Sequence, residues 1–128
     1  MKTDAVTPAD LARSVIAVPP LARAANGAVS IAENQKILRW MASGGVSTFL
    51  YGGNANFYNL GLLEYPVVLE VIAGIAPAGA WIIPSIGPDF GKALDQVTML
   101  KSFPFPTAMA LPMPAATRPE GVATGLRR

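Results

Sequence analysis

Short runs of apolar and β-branched residues alternate along the chain with longer stretches in which apolar residues recur every three or four positions. The short runs predict buried strands, over residues 14–18, 46–51, 80–83 and 107–111. The longer stretches predict helices, over residues 7–12, 30–43, about 62–76, 88–101 and from 118 to the end of the chain. Strands that alternate with helices in this way are typical of a parallel sheet.

Residues with strong positional preferences support the predicted ends of these elements. Ser30 and Glu33 form a capping-box pattern, with Ser at the N-cap and Glu at the third helical position. Pro66 is tolerated only if its helix starts near Leu63, so that it falls in the first turn. Pro84 is expected to end the third strand. The pattern therefore predicts a short helix followed by four β-α units, whose functional turns lie at the carboxyl ends of the strands.

The composition suggests that part of the surface is covered. The chain has 128 residues, of which 52% are hydrophobic and only 14% are charged. A free-standing domain needs more charge than this, so we expect contact with more chain or with a partner subunit, and hence a homo-oligomer. The net charge is +2 and the basic residues are scattered apart from Arg127-Arg128, which disfavours binding to nucleic acid.

The absence of two residue types restricts the chemistry. The chain contains no Cys and no His, which removes Cys-rich zinc sites, disulfides, thiol chemistry and His acid–base catalysis. We therefore expect no metal and no cofactor. The uncharged run from Val71 to Pro88 is broken by several Pro and Gly residues, and the first residues do not resemble a signal peptide. We expect a cytoplasmic protein that makes no contact with a membrane.

Four segments resemble landmarks of a known enzyme family. Residues 52–60 (Gly-Gly-Asn-Ala-Asn-Phe-Tyr-Asn-Leu) resemble the Gly-Thr-Thr-Gly-Glu-x-x-x-Leu turn after the second strand of the dihydrodipicolinate synthase/N-acetylneuraminate lyase family. The start of the second strand in that family resembles the pair Gly45-Val46, and its Leu-Ser-x-x-Glu helix entry resembles residues 60–64. Its Pro-Tyr-Tyr segment, which is followed by Glu-Gly, resembles residues 112–121. The resemblance implies a (β/α)₈ barrel, which takes about 250 residues. Residues 1–128 would then be its N-terminal half.

The same resemblance implies a Schiff-base lyase or aldolase that acts on a 2-oxo acid such as pyruvate, or on a sugar-acid derivative. In the family, a Lys on strand six forms the imine and a Tyr at strand five assists proton transfer, and neither strand is among the four predicted here. We therefore expect the chain to be inactive alone and to contribute no catalytic residue. The alternative is a non-catalytic half-barrel that self-associates for ligand binding or scaffolding.

The resemblance also implies where a substrate would bind. The two Thr hydroxyls of the family turn, which hold the carboxylate, fall on Gly53 and Asn54, and its Glu falls on Asn56. An Asn amide can donate to a carboxylate, and Gly53 offers a backbone N–H. With Ser85, which follows the third strand, these residues are the expected substrate-binding set. Turn chemistry is a second interpretation of both Asn residues, and it is favoured for Asn56.

The amines of the chain are expected to lie outside this site. An imine requires a Lys with a lowered pKa, usually in a dry pocket. The four Lys residues occupy positions 2, 36, 92 and 101, and the pattern places none of them at the carboxyl end of a strand. We expect each to lie on a solvated surface. Tyr58, beside the turn, is expected to pack rather than to bind ligand.

Overall fold

The computed structural model describes residues 1–112, which fold into one parallel sheet with helices packed against it. The strands are ordered as in the sequence, and each pairs in parallel with the next. The elements are α1 (Pro8–Ala12), β1 (Ile16–Ala17), α2 (Ile31–Ser43), β2 (Thr48–Tyr51), α3 (Tyr65–Ile75), β3 (Trp81–Ile86), α4 (Phe90–Leu100) and β4 (Met109–Ala110). The predicted fold, a short helix and the first β-α units of a barrel, is confirmed. The helix predicted from Arg118 lies outside the described residues.

The two faces of the sheet have different neighbours. One face packs on the helices and forms the main core, in which Phe49, Tyr51 and Ile82 are fully buried. Their partners are apolar side chains of α2 and α3, among them Leu38, Val68, Leu69 and Ile72. The alternate residues of β2 and β3 point away from the helices, toward what would be the barrel axis. We call this second side the inner face.

The start of α2 differs in one bond from the predicted capping box. The Ser30 hydroxyl accepts from the Glu33 N–H at 3.4 Å, as expected. The Glu33 carboxylate, however, accepts from Lys36 Nζ at 2.8 Å. The Ser30 N–H donates instead to the Ala22 carbonyl at 3.0 Å. The box is half formed because the preceding loop already satisfies the donor that Glu33 would have bound.

The third strand does not end at Pro84, as the sequence suggested. It continues to Ile86. The Trp81 N–H donates to the Ser47 carbonyl on the β2 side, so by alternation the nitrogen of Pro84 faces β4. The ladder with β4 begins only at Ser85, so the missing N–H of Pro84 removes no strand hydrogen bond. Pro66, by contrast, falls in the first turn of α3, as predicted.

The first strand was expected to be fully buried, and that expectation is wrong. Val15 is 70% exposed and Ile16 is 46% exposed. In the described part of the chain β1 pairs only with β2, so its other edge has no strand partner. No helix within residues 1–112 has both the length and the apolar character needed to cross a membrane.

Candidate ligand site at the carboxyl ends of the strands

The carboxyl ends of β2 and β3 open into turns that meet on one side of the sheet. After β2 the chain makes two short 3₁₀ turns, Gly53–Ala55 and Phe57–Asn59. The N-terminus lies at the opposite end, because the Lys2 N–H donates to the Ala80 carbonyl just before β3 at 2.7 Å. The family-like turn therefore lies where parallel sheets place ligand sites.

Gly52 and Ser85 come together on the inner face. A β-carbon at Gly52 would lie 3.6 Å from Ser85 Oγ and 3.1 Å from Met109 Cε, the terminal methyl of a β4 side chain. Ser85 is 0% exposed, and among residues 1–112 no group forms a hydrogen bond with its Oγ. A buried hydroxyl without a partner is costly, so a polar ligand atom beside it would gain a hydrogen bond that the protein leaves unmade.

Gly53 and Asn54 lie at the solvent-facing entrance of this region. Both are exposed. A β-carbon at Gly53 would lie 3.2 Å from Cε2 of the Tyr58 ring, so glycine leaves room for the packing of this ring. Tyr58 therefore packs on the turn, as expected from the sequence. The Asn54 side chain is exposed to solvent, so its amide can reach a ligand that enters from this side.

Asn56 has a clear role in the shape of the turn. Its φ is 59°, in the left-handed region that Asn tolerates better than most residues. Its Oδ1 accepts from Asn59 Nδ2 at 2.6 Å, and its backbone N–H donates to the Gly53 carbonyl. These contacts favour the turn interpretation, and a contact between Asn56 and substrate stays a prediction.

Lys92 lies at the surface, as expected, and also contacts the turn. It is partly buried, and its Nζ donates to the Tyr58 carbonyl at 2.8 Å. Lys36 pairs with Glu33 away from the site and Lys101 is exposed, as expected. The solvated surface expected for Lys2 is wrong, because its side chain is only 16% exposed where it pairs with Asp10. The hydrogen bond of Lys92 joins α4 to the turn after β2. It could not be predicted from the sequence, because the spacing of residues does not indicate which side chains of different β-α units come into contact.

Tyr65 and Gln96 support the end of β3, and the sequence analysis missed both. Tyr65 Oη donates to the Ser85 carbonyl at 3.0 Å, and Gln96 Oε1 accepts from the Gly87 N–H at 2.7 Å. Both side chains are 0% exposed. Burial raises the pKa of Tyr65, so its phenol stays protonated and keeps donating. A signal was present for Tyr65, since it directly precedes Pro66 at a helix start.

Acidic side chains do not gather near this site. In the part of the chain that the structure describes, no three of the Asp and Glu residues are arranged so that they could hold a metal ion. The polar groups at the ends of β2 and β3 are a hydroxyl, an amide and backbone atoms. Such groups bind a small anion or a carbonyl by hydrogen bonds.

Parallel strands in sequence order that alternate with helices are the architecture of part of a β/α barrel. Solved structures agree. Dihydrodipicolinate synthase from Rhodopseudomonas palustris matches with a TM-score of 0.73 at 17% identity, over 88% of this chain and 38% of that one. Dihydrodipicolinate synthase from Bacillus clausii matches with a TM-score of 0.72 at 19% identity, over 94% of this chain and 42% of that one.

The comparisons establish the fold. The chain spans about two-fifths of the length of the two synthases, and the match covers most of the chain. The resemblance inferred from the sequence is thereby confirmed as a resemblance to the N-terminal part of such a barrel. No family model matches the sequence, and no curated protein matches it.

Proposed function

We propose that the chain is the N-terminal half of a Schiff-base lyase or aldolase barrel and binds a small 2-oxo acid, such as pyruvate or a sugar-acid derivative, at the carboxyl ends of β2 and β3. The observation that carries the proposal is the buried Ser85 hydroxyl beside Gly52 on the inner face, which has no hydrogen-bond partner among residues 1–112. The fold similarity to two dihydrodipicolinate synthases supports the reaction class.

The available groups suggest how the acid would be held. Ser85 Oγ–H donates to a carboxylate or carbonyl oxygen, and the Asn54 amide approaches the same ligand from the entrance. Gly52 adds no side chain of its own here, and the nearest side-chain atoms are the Met109 methyl and Ser85 Oγ, at 3.1 and 3.6 Å from the point that a β-carbon would occupy. A hydrogen bond to a charged oxygen in such a dry place contributes more than a neutral one does.

In this proposal the chain supplies substrate binding and not the imine. Lys2 and Lys36 pair with carboxylates away from the site, and Lys101 is exposed at the end of α4. Lys92 lies beside the turn after β2, but its Nζ donates to the Tyr58 carbonyl. The apolar composition supports a homo-oligomer, and a cytoplasmic location belongs to the same proposal.

A titration with pyruvate tests the binding site. Amide signals of the ¹⁵N-labelled chain are followed by NMR as pyruvate is added. Shifts are expected at Gly52, Asn54 and Ser85, and Ser85→Ala should weaken binding about tenfold, because a hydrogen bond to a charged group is lost. Ser102→Ala, an exposed serine after α4, is the matched control and should bind as the wild type does. Equal binding by both variants would refute the site.

Reductive trapping tests the missing imine. The chain is incubated with pyruvate and borohydride and then weighed by mass spectrometry. No covalent adduct is expected, because imine formation requires a Lys with a lowered pKa in a dry pocket. An adduct on Lys36, Lys92 or Lys101 would contradict the proposal that the chain is inactive alone.

The exposed β1 edge favours a second candidate, a non-catalytic half-barrel that pairs with a second copy. Val15 and Ile16 expose apolar surface next to a strand edge that has no partner in the described part of the chain, and such an edge is a template for strand pairing. Sedimentation velocity separates the candidates. A stable dimer that Ile16→Lys dissociates, together with no response to pyruvate, supports the second. A chain that binds pyruvate equally well before and after this substitution supports the first.

A further inference from the structure

Met109 lies beside the Ser85 hydroxyl, for which residues 1–112 supply no hydrogen-bond partner. The two residues are partners in the register between β3 and β4, so their side chains lie on the same face of the sheet. The Met109 methyl lies 3.1 Å from the point that a Gly52 β-carbon would occupy, and Ser85 Oγ lies 3.6 Å from the same point. Gly52, Ser85 and Met109 thus meet at one place, on three neighbouring strands or their ends.

Ser85 and Met109 differ in how far each is exposed to solvent. Ser85 is 0% exposed, whereas Met109 is only partly buried. Any side chain at Gly52 would press against the Met109 methyl, so glycine provides the space in which this methyl rests. Methionine is unbranched and has three rotatable bonds, so its end can move aside at small cost. A ligand atom that bonds to Ser85 has to displace it.

We infer that Met109 is a movable cover over the Ser85 hydroxyl and sets the size limit for the acid that binds there. The inference rests on the proposed function and adds the ligand class: short 2-oxo acids, with one to two carbons beyond the carbonyl. The acid oxygen replaces the Met109 methyl at Ser85, and the displaced side chain then packs against the acyl chain of the ligand. A longer acyl chain competes with Met109 for the same space.

A size series tests this inference. Pyruvate and 2-oxohexanoate are titrated into the wild type, Met109→Ala and Met41→Ala. Met41 is a partly buried methionine of α2 on the helix side of the sheet, so it is the matched control. The wild type and Met41→Ala should both prefer pyruvate. Met109→Ala frees space for the three extra methylenes, each of which is worth about fourfold in affinity when buried. Its ratio of affinities should shift toward 2-oxohexanoate by at least about tenfold.

The outcomes separate this inference from the proposed function. Pyruvate binding with the same size preference in Met109→Ala as in Met41→Ala overturns the cover and leaves the function intact. Failure of both acids to bind the wild type overturns both. Met109→Leu, which keeps the volume but stiffens the side chain, guards against unfolding of the alanine variant. It should keep the wild-type preference and associate with pyruvate more slowly. A ¹³C-methyl spectrum should also show that pyruvate shifts the Met109 signal and not that of Met41, and the reverse pattern would refute the cover.

Discussion

Tyr51 and Tyr65 belong to one aromatic cluster but differ in whether the hydroxyl has a partner. The ring of Phe57 lies between them, with centroids 5.9 Å from Tyr51 and 6.1 Å from Tyr65. Tyr65 Oη donates to the Ser85 carbonyl, whereas Tyr51 Oη has no partner within residues 1–112. Burial raises the pKa of both phenols, so both remain neutral and only the hydrogen bond distinguishes them.

This difference predicts opposite results for two identical substitutions. Tyr65→Phe removes a buried hydrogen bond and should lower the free energy of unfolding by about 1–2 kcal/mol. Tyr51→Phe removes an unpaired buried hydroxyl and should leave the free energy of unfolding unchanged or raise it by up to about 1 kcal/mol. Urea unfolding of the two variants measures the difference. An equal loss in both would mean that Tyr51 has a partner in solution.

Asp10 carries a pH dependence of stability. The backbone N–H and the hydroxyl of Thr7 both donate to its carboxylate at 2.8 Å and lower its pKa below 3.8, and Lys2 at 3.4 Å adds to the effect. Because the folded-state pKa is lowered, the carboxylate stabilises the fold above pH 3.8, and this contribution is lost as the pH falls through the folded-state value.

The corresponding test is the melting temperature of Asp10→Asn across this pH range. The variant should melt below the wild type at neutral pH, and the two should converge as the pH falls below 3.8. Asp4→Asn, at an exposed position, is the control and should not alter the pH profile. A gap between Asp10→Asn and the wild type that persists unchanged in acid would contradict the role of the charge.

At the scale of elements, α4 holds the turn after β2 through one side chain. The bond from Lys92 Nζ to the Tyr58 carbonyl crosses between two β-α units. Lys92→Met keeps the aliphatic stem and removes the bond, which should speed amide exchange across residues 53–59 by about fivefold, or about 1 kcal/mol of local stability. Lys101→Met, at an exposed position on the same segment, should leave the exchange of these amides unchanged. The same acceleration in both variants would argue for a general effect of charge.

The sequence predicted helix and strand ends correctly where the residues next to each end determine it. The Ser30 N-cap and the place of Pro66 in the first turn of α3 are local, and the structure bears out both. The end of β3 depends on which neighbouring strand, β2 or β4, the backbone nitrogen of Pro84 faces. The exposure of Ile16 depends on whether another element covers the edge of β1. These two features depend on tertiary contacts, so the sequence pattern misjudged them.

The same distinction applies to the candidate site. The turn at Gly53 follows β2, as the parallel-sheet rule predicted, whereas Ser85 was expected after the third strand and lies inside β3, one residue before its end. Met109 and Lys92 reach the site from neighbouring units. Their positions follow from the register of β4 against β3 and the packing of α4, which residue spacing alone does not encode.

For the molecule as a whole, stability is concentrated between the two central strands and the helices. Ile82 on β3 is 0% exposed and belongs to the main core, whereas Ile16 on the edge strand β1 is 46% exposed. Apolar burial is the dominant favourable term in folding, so the same residue type should contribute very differently at these two positions. A substitution at Ile82 therefore measures the stability of the core, and a substitution at Ile16 measures whether the edge of the sheet is covered in solution.

Comparing the losses of unfolding free energy in Ile82→Ala and Ile16→Ala therefore tests whether contacts within residues 1–112 explain the stability of the chain in solution. Ile82→Ala should cost about 3–4 kcal/mol of unfolding free energy, because it leaves a cavity in a packed core. Ile16→Ala should cost less, about 1 kcal/mol, because the residue is already 46% exposed and loses less buried apolar surface. Urea unfolding at two protein concentrations gives both values. If Ile16→Ala is as costly as Ile82→Ala, and more so at the higher concentration, the β1 edge is covered by a second copy of the chain. That result would favour the self-associating half-barrel over a chain that binds its ligand as a monomer.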